Sequence, residues 1–447
     1  MTGSGPLRAP APVTPATEAR RSRPSAPPRV SKPDTALHSV GPGAVVAASP
    51  YCATPTTLLA ALARRSRDLP DLVLCAGLLL GDAPYFDAVL TRHLTFRTWH
   101  VSETGRRLAA ADALDYIPIR AGDVAAYLRS RVDVAVARVT PPDAHGVCSL
   151  GPSASYTKAM LAGAAVRLAE IDPELPWTYG ADVTYPYAEF DHVVDAETPT
   201  STYTSNAESA QLAAIASHVI RLLRDGVTLQ LGIGGVSEAI AHALSRSDVG
   251  DLRVVGMVTD AVVDMAEQDR LATQSDAIQA VELLGSRRVF EFAHRNPAVE
   301  MFSSSTIHDV AWLATQPRLV SVCSALSVDL SGQVASEQIG GRLVAGVGGS
   351  ADFFEGAHLS RGGIRVVALP ATTPAGASRL RVEFAAGTPV TLPRHSVDYV
   401  VTEYGAAHLA GRSVRERAEA LAAVAAPEHR QSLLAEWSTV SRPKERT

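Results

Sequence analysis

The sequence predicts an α/β protein made of two successive α/β halves with mainly parallel sheets, preceded by an unstructured arm. Three observations carry that expectation. Short runs rich in Val, Leu and Ala alternate with segments of helical period from Leu37 onward. The short runs are mostly apolar, with turn residues after them, as in parallel strands covered on both faces. A polar, Pro-containing stretch, "DAETPTSTYTSN" (195–206), divides the body near its middle. The expected units are a disordered Pro/Ala/Arg-rich tail at 1–36, one α/β domain at 37–205 and a second at 206–440.

The elements follow in order. The first 34 residues, "MTGSGPLRAPAPVTPATEARRSRPSAPPRVSKPD", hold too many prolines for an amphipathic helix and no continuous apolar region, which excludes a secretory signal. The segment "TPTTLLAALARRSRDL" (54–69) has helical period, and "DLVLCAG" (71–77) and "VDVAVARV" (132–139) read as buried strands. In "SNAESAQLAAIASHVIRLLRDG", Ser205 and Glu208 form a capping-box pattern. Leu212, Ile215, Val219 and Leu222 then recur at helical spacing, with Gly226 as the stop. "TLQLGIGG" is a strand ending in glycines, and "SEAIAHALSR" is the helix after it. Further strands are expected at "RLVSVCSA" (318–325), "IRVVALP" (364–370) and "VDYVVTEYG" (397–405). A capping box at Ser413 and Glu416 opens a late helix, and Pro427 starts another.

Composition narrows the function. The chain has 447 residues, 46% hydrophobic and 19% charged, as ordinary globular proteins do. A formal charge of −5 gives no reason to expect nucleic acid or an anionic membrane as partner. No apolar run approaches the roughly 20 residues of a membrane helix. Cys52, Cys75, Cys148 and Cys323 are scattered without metal-ligand spacing, so neither a metal site nor a disulfide framework is expected, and the cytoplasm is the expected compartment.

Several segments together resemble the acetyl-CoA hydrolase/transferase family, including the 4-hydroxybutyrate CoA-transferases. They are "VTPPDAHGVCSLG" (139–151), "SASYTKA" (153–159), "LQLGIGGVSEAI" (229–240), "TDAVVDM" (259–265) and "LGSRRVFEFAHRNPAVE" (284–300). The long run from Val328 to Thr372 and "VTEYGAAHLAGRSVRERAEAL" (401–421) complete the set. They stand in the family's order and cover about Leu37 to Leu434. The resemblance implies two tandem CoA-transferase-like domains, the second carrying the thioester site. It also implies a coenzyme A thioester as substrate, no tightly bound cofactor, and a homo-oligomer such as a dimer. Gly232, Gly234 and Gly235 of "GIGG", and Gly346, Gly348 and Gly349 with Asp352 of "GVGGSADF", are the expected substrate-binding loops. Glycines after strands let the backbone approach a ligand and aim N–H groups at an oxyanion.

The sequence departs from the family at its reactive centre. Family members attack the acyl-CoA with a glutamate, forming an anhydride and then a glutamyl thioester. The surrounding family pattern resembles "GIHSEMFSDGVVDL". Anchored on Asp260, Val262, Val263 and Asp264, this chain reads "VVGMVTDAVVDM", which puts Gly256 at the glutamate position, Met257 after it and Val254 at the histidine position. Glu238, Glu267 and Glu282 are the nearest carboxylates, and none occupies the required place in linear order. A second family pattern resembles "VSINSALEVDL". Here Cys323 replaces its asparagine and Ser327 its glutamate.

Candidate catalytic residues are therefore Cys323, His145 and Glu403, with Gly256 and Met257 at the emptied position. Cys323 is read either as an acyl-accepting thiol or as a small buried residue. His145 is read as base, substrate holder or loop residue, and Glu403 as general base or structural carboxylate. Cys148 matches the family pattern and is expected to be structural. Three functions stay open. One transfers an acyl group from a thioester of CoA, or of a carrier protein, to a non-CoA acceptor or water. The second is a CoA-transferase with a displaced nucleophile, and the third a non-catalytic thioester-binding or scaffold protein.

Overall fold

The computed structural model describes residues 27–204, 209–274 and 276–440. Among them, the first large sheet has eight strands in the order Arg29–Val30, His192–Asp195, Val166–Ile171, Val134–Val139, Val45–Ala48, Leu72–Cys75, Leu94–Thr98 and Leu114–Tyr116. Every neighbouring pair runs parallel. The helix Thr56–Arg65 buries Leu58, Leu59 and Leu62 against one face, and Val124–Arg129 and Thr157–Gly163 bury Leu128 and Met160 against the other. Covering both faces explains why these strands carry no polar alternation.

The second large sheet has nine strands in the order Gly405–His408, Tyr399–Thr402, Ile364–Ala368, Leu319–Ser324, Thr228–Leu231, Arg253–Val258, Ile278–Leu283, Val299–Met301 and Tyr179–Gly180. Eight are parallel in series, and Gly405–His408 closes one edge as an antiparallel strand. The opposite edge, Tyr179–Gly180, comes from the first half of the chain. Gly180 makes that pairing possible: its φ is +143°, and a Cβ there would collide with the Met301 carbonyl. The α/β class and the parallel sheets are thus as the sequence predicts.

One local expectation changes. Within the expected tail, Arg29–Val30 is an edge strand beside His192–Val193, and Pro33–Ala36 is a helical turn with Ala36 buried. Pro33 sits at the start of that turn, where a missing N–H costs nothing. The polar divider is also held at several points. Arg138, fully buried, pairs with Asp172 at 2.8 Å and Glu170 at 3.4 Å, and its guanidinium donates to the Thr198 carbonyl at 2.6 Å. Thr200 donates to Asp172 at 2.6 Å. The Ser205–Glu208 capping box lies outside the described residues. The described helix Ala210–Ile220 is capped by Ser209, whose Oγ accepts from Leu212 N. The Ser413–Glu416 box and the Pro427 helix start are present as expected.

Candidate active site

The two parallel sheets point the C-terminal ends of their strands at one cavity of about 250 Å³. Tyr51 follows the strand Val45–Ala48, Gly77 follows Leu72–Cys75, and Trp99 and His100 follow Leu94–Thr98. From the other sheet come Gln230 and Gly232, Gly256 and Met257, Val281 and Glu282, and Cys323 and Ser324. Ser155, Tyr156, His308, the segment Gly346–Ser350 and Phe353 also line the wall.

The first half supplies aromatic walls and few charges. Tyr156 Oη accepts from Gly77 N at 2.9 Å and donates to the Ala48 carbonyl at 3.0 Å. Its ring meets Trp99 edge-on at 5.2 Å. Burial holds the Tyr51 and Tyr156 phenols above their ordinary range. Burial also lowers His100 and His308 to about 4, so both rings are neutral at pH 7. His308 Nδ1 stands 3.5 Å from Asp352 Oδ2 without a hydrogen bond, and with a neutral ring this contact is not an ion pair.

The structure brings together Gly232, Gly256, Met257, Cys323, Gly346, Gly348 and Gly349 on the cavity wall. Their roles differ from a simple ligand cradle. Gly232 N donates to the Val322 carbonyl at 3.2 Å, so its N–H is used within the sheet. A Cβ on Gly346 would collide with the Trp99 carbonyl, and one on Gly349 with the His308 ring. These two glycines let the loop approach neighbouring protein closely. Gly348 has φ +63° and open space at its Cβ position, so backbone conformation alone favours glycine there. Gly256 has φ +107°, with the nearest atom to a Cβ being Phe353 Cζ at 3.4 Å.

Gly234, Gly235 and Asp352 lie beside the wall rather than on it. Gly234, at φ +101°, precedes the helix Gly235–Ser245. Asp352 accepts from Gly122 N at 3.0 Å and stands 3.6 Å from Arg120, tying the loop to the first half. Desolvation pushes its carboxyl up to about 6.

His145 and Glu403 are not in the cavity wall. His145 is exposed in the turn between Asp143 and Val147. Glu403 accepts from Gln211 Nε2 at 2.6 Å and Ala371 N at 2.8 Å, which occupies both oxygens. Cys323 reaches the wall, but its thiol is pushed up to about 12 by burial, and its contact is Ser321 Oγ at 3.9 Å. That setting opposes a thiolate. Cys148 is buried in the first half's core. Among the described residues, no group of three or more His, Cys, Asp or Glu side chains is placed to hold a metal, and no helix is long and apolar enough to cross a membrane.

Linear order sets Glu282 aside as a replacement for the family's glutamate, but the fold brings it to the cavity. It is 1% exposed and borders the cavity. Ser153 donates to its Oε1 at 2.9 Å, and Oε2 has no partner. The "SASYTKA" motif signals where its support comes from, since Ala154 N and Ser155 N both reach the Val281 carbonyl at 3.3 Å. Membership of the same cavity follows from strand pairing, which one-dimensional order does not display.

Comparison with known proteins agrees with this architecture. Residues 18–202 match the acetyl-CoA hydrolase/transferase N-terminal domain, and residues 285–437 match the corresponding C-terminal domain. The chain is 32% identical over 392 residues to a 4-hydroxybutyrate coenzyme A transferase of Clostridium kluyveri, covering 86% of this chain and 91% of that protein. It is 31% identical to a butyryl-CoA:acetate CoA-transferase of Anaerostipes caccae, over 85% of this chain and 89% of that one. The crystal structure of a 4-hydroxybutyrate CoA-transferase from Porphyromonas gingivalis superposes with a TM-score of 0.77 at 29% identity, covering 92% of this chain and 98% of that chain. RipA from Yersinia pestis shares the fold, with a TM-score of 0.85 at 24% identity over 92% of this chain and 97% of that one.

Proposed function

The chain belongs to the acetyl-CoA hydrolase/transferase family, whose substrates are CoA thioesters, and from that premise we propose that it transfers an acyl group from a thioester to a non-CoA acceptor or to water. The reaction runs without a glutamyl-CoA intermediate at position 256. The observation that carries this reading is Gly256, which borders the cavity where the family motif calls for the attacking carboxylate. A glycine has no atom that can form the anhydride. The space left beside the thioester carbon admits an amine, an alcohol or a water molecule.

The remaining parts suit direct transfer. The aromatic first-half wall excludes water around the acyl group. The helix Ser350–Leu359 starts at the wall, and its first-turn N–H groups and positive dipole end favour an oxyanion on the thioester carbonyl. Cys323 is a wall residue in this reading rather than the nucleophile, because its thiol holds its proton.

The test is an acyl-CoA panel incubated with water, amines and alcohols while released CoA thiol is measured. Release with an acyl acceptor supports the reading. CoA exchange with acetate or succinate, together with a hydroxylamine-sensitive adduct, would replace it with a CoA-transferase using a displaced nucleophile. Calorimetric CoA binding without any thioester consumption would replace it with a binding or scaffold role.

A further inference from the structure

Resting on direct acyl transfer in this cavity, the geometry points to Glu282 as its proton-accepting catalytic residue: the unpartnered Oε2 takes the acceptor's proton as that group attacks the thioester carbonyl.

Glu282 lies on Ile278–Leu283, the strand beside Arg253–Val258, which carries Gly256. The register between these strands shifts at this level: Gly256 faces Ala280 across the ladder, whereas Met257 faces Glu282. One extra residue, Val281, is therefore inserted opposite the Gly256–Met257 step. Both Val281 and Glu282 border the cavity, although consecutive residues of a regular strand point to opposite faces. Bulges re-aim side chains in this way next to active sites. A carboxylate missing from one strand is thereby matched by a carboxylate on the next.

The surroundings fit a proton acceptor. Segment 152–155 clamps the strand: Leu283 N donates to the Pro152 carbonyl at 2.8 Å, and Ser153 Oγ fixes Oε1. Ser155 as well as Ser153 favours the ionised carboxyl, yet Oε2 is left buried without a completed hydrogen bond, which is costly unless a ligand group supplies one. The titratable groups facing Glu282 are Tyr51, Cys52 and Tyr156, all kept protonated and neutral by burial. The cavity histidines are neutral as well, and with no cation among the described residues stabilising the anion, burial raises Glu282 well above the usual carboxylate range. A raised carboxyl is a stronger base in its ionised form, so the rate should rise with pH as that form is populated. Cys323 holds its proton, and Asp352 is engaged with Gly122 and lies off the wall.

The step balances. The acceptor oxygen or nitrogen forms a bond to the thioester carbon, its proton passes to Glu282 Oε2, and the carbonyl electron pair moves to oxygen. Collapse restores the carbonyl and breaks the C–S bond. The proton then leaves Glu282 for the departing thiolate, giving the acylated acceptor, free CoA thiol and the Glu282 carboxylate restored.

The experiment uses the full chain with acetyl-CoA and butyryl-CoA, with water or ethanolamine as acceptor. CoA release is followed from about pH 5 to about pH 9, and kcat and KM are separated. Glu282→Gln keeps the shape of the side chain and should lower kcat by about 100-fold or more with little change in KM. Ser153→Ala removes a bond that favours the ionised carboxyl, so the acid limb of kcat should move to higher pH, which a purely structural serine would not cause. If wild type releases CoA and Glu282→Gln retains kcat within about threefold, the assignment of Glu282 falls while direct transfer stands. A hydroxylamine-sensitive adduct on Glu282 would also overturn it, making this residue a nucleophile. If wild type releases no CoA from either thioester with either acceptor, direct transfer itself fails and the assignment with it.

Discussion

Gly346→Ala separates the two reasons a glycine can stand in a binding loop. If Gly346 were there to admit a ligand, one methyl would weaken binding and leave stability unchanged. The structure says otherwise, because the added Cβ would strike the Trp99 carbonyl and crowd the backbone of His100. Both obstacles are backbone, so no side-chain rotation relieves the clash. Overpacking of this kind costs about 1–3 kcal/mol, and the upper part of that range applies when backbone must move. For halves near 200 residues, each kcal/mol lowers the melting temperature by roughly 2–4 °C. Urea and thermal unfolding of Gly346→Ala would measure this. Gly41→Ala is the control, since Gly41 is exposed and has nothing within 4 Å of its Cβ position. A Gly346→Ala midpoint matching the control to within about 0.5 kcal/mol would refute the assignment of Gly346 to contact between the halves.

Other substitutions test separate parts of the argument. Arg138→Met leaves Glu170 and Asp172 buried without their cation and should destabilise by about 3–5 kcal/mol in urea titration; a loss below about 1 kcal/mol would contradict it. Intact-mass measurement after acetyl-CoA exposure should show no adduct that Cys323→Ala removes, because a thiol pushed up to about 12 is protonated at neutral pH. Such an adduct would make Cys323 the acyl carrier. Glu238 is pushed up to about 7 by burial, with Thr259 Oγ1 at 3.2 Å as its donor. Its folded value exceeds the unfolded one, so its contribution is fully present below the unfolded value and is lost as pH rises through about 7. Glu238→Gln should therefore flatten the fall in stability between about pH 4.5 and pH 7, and an unchanged slope would exclude this source.

The strands at Leu72–Cys75 and Val134–Val139 were legible because short runs rich in Val, Leu and Ala, broken only by Arg138, have few uses outside a sheet covered on both faces. Helix ends were legible where the cap chemistry is local, as at Ser413 and Glu416. Residues 29–36 were misread because composition averages over a window, while pairing with His192 and burial of Ala36 depend on chain that arrives much later. The same limit applied to His145 and Glu403. Each sits in a family-like motif, yet one faces solvent and the other has both oxygens engaged by Gln211 and Ala371.

The sequence by itself determined the α/β class, the family and the glycine at position 256, since each rests on local pattern or on motifs in order. Tertiary structure alone decided which residues share the cavity. Strand pairing set Glu282 beside the strand of Gly256, and the inserted Val281 put both 281 and 282 on the wall. The close approach of the halves turned Gly346 from a ligand-facing glycine into one required by Trp99. The physical reason is common to both cases: periodicity and propensity act over a few residues, whereas desolvation, a missing hydrogen-bond partner and steric exclusion depend on neighbours brought together by the fold.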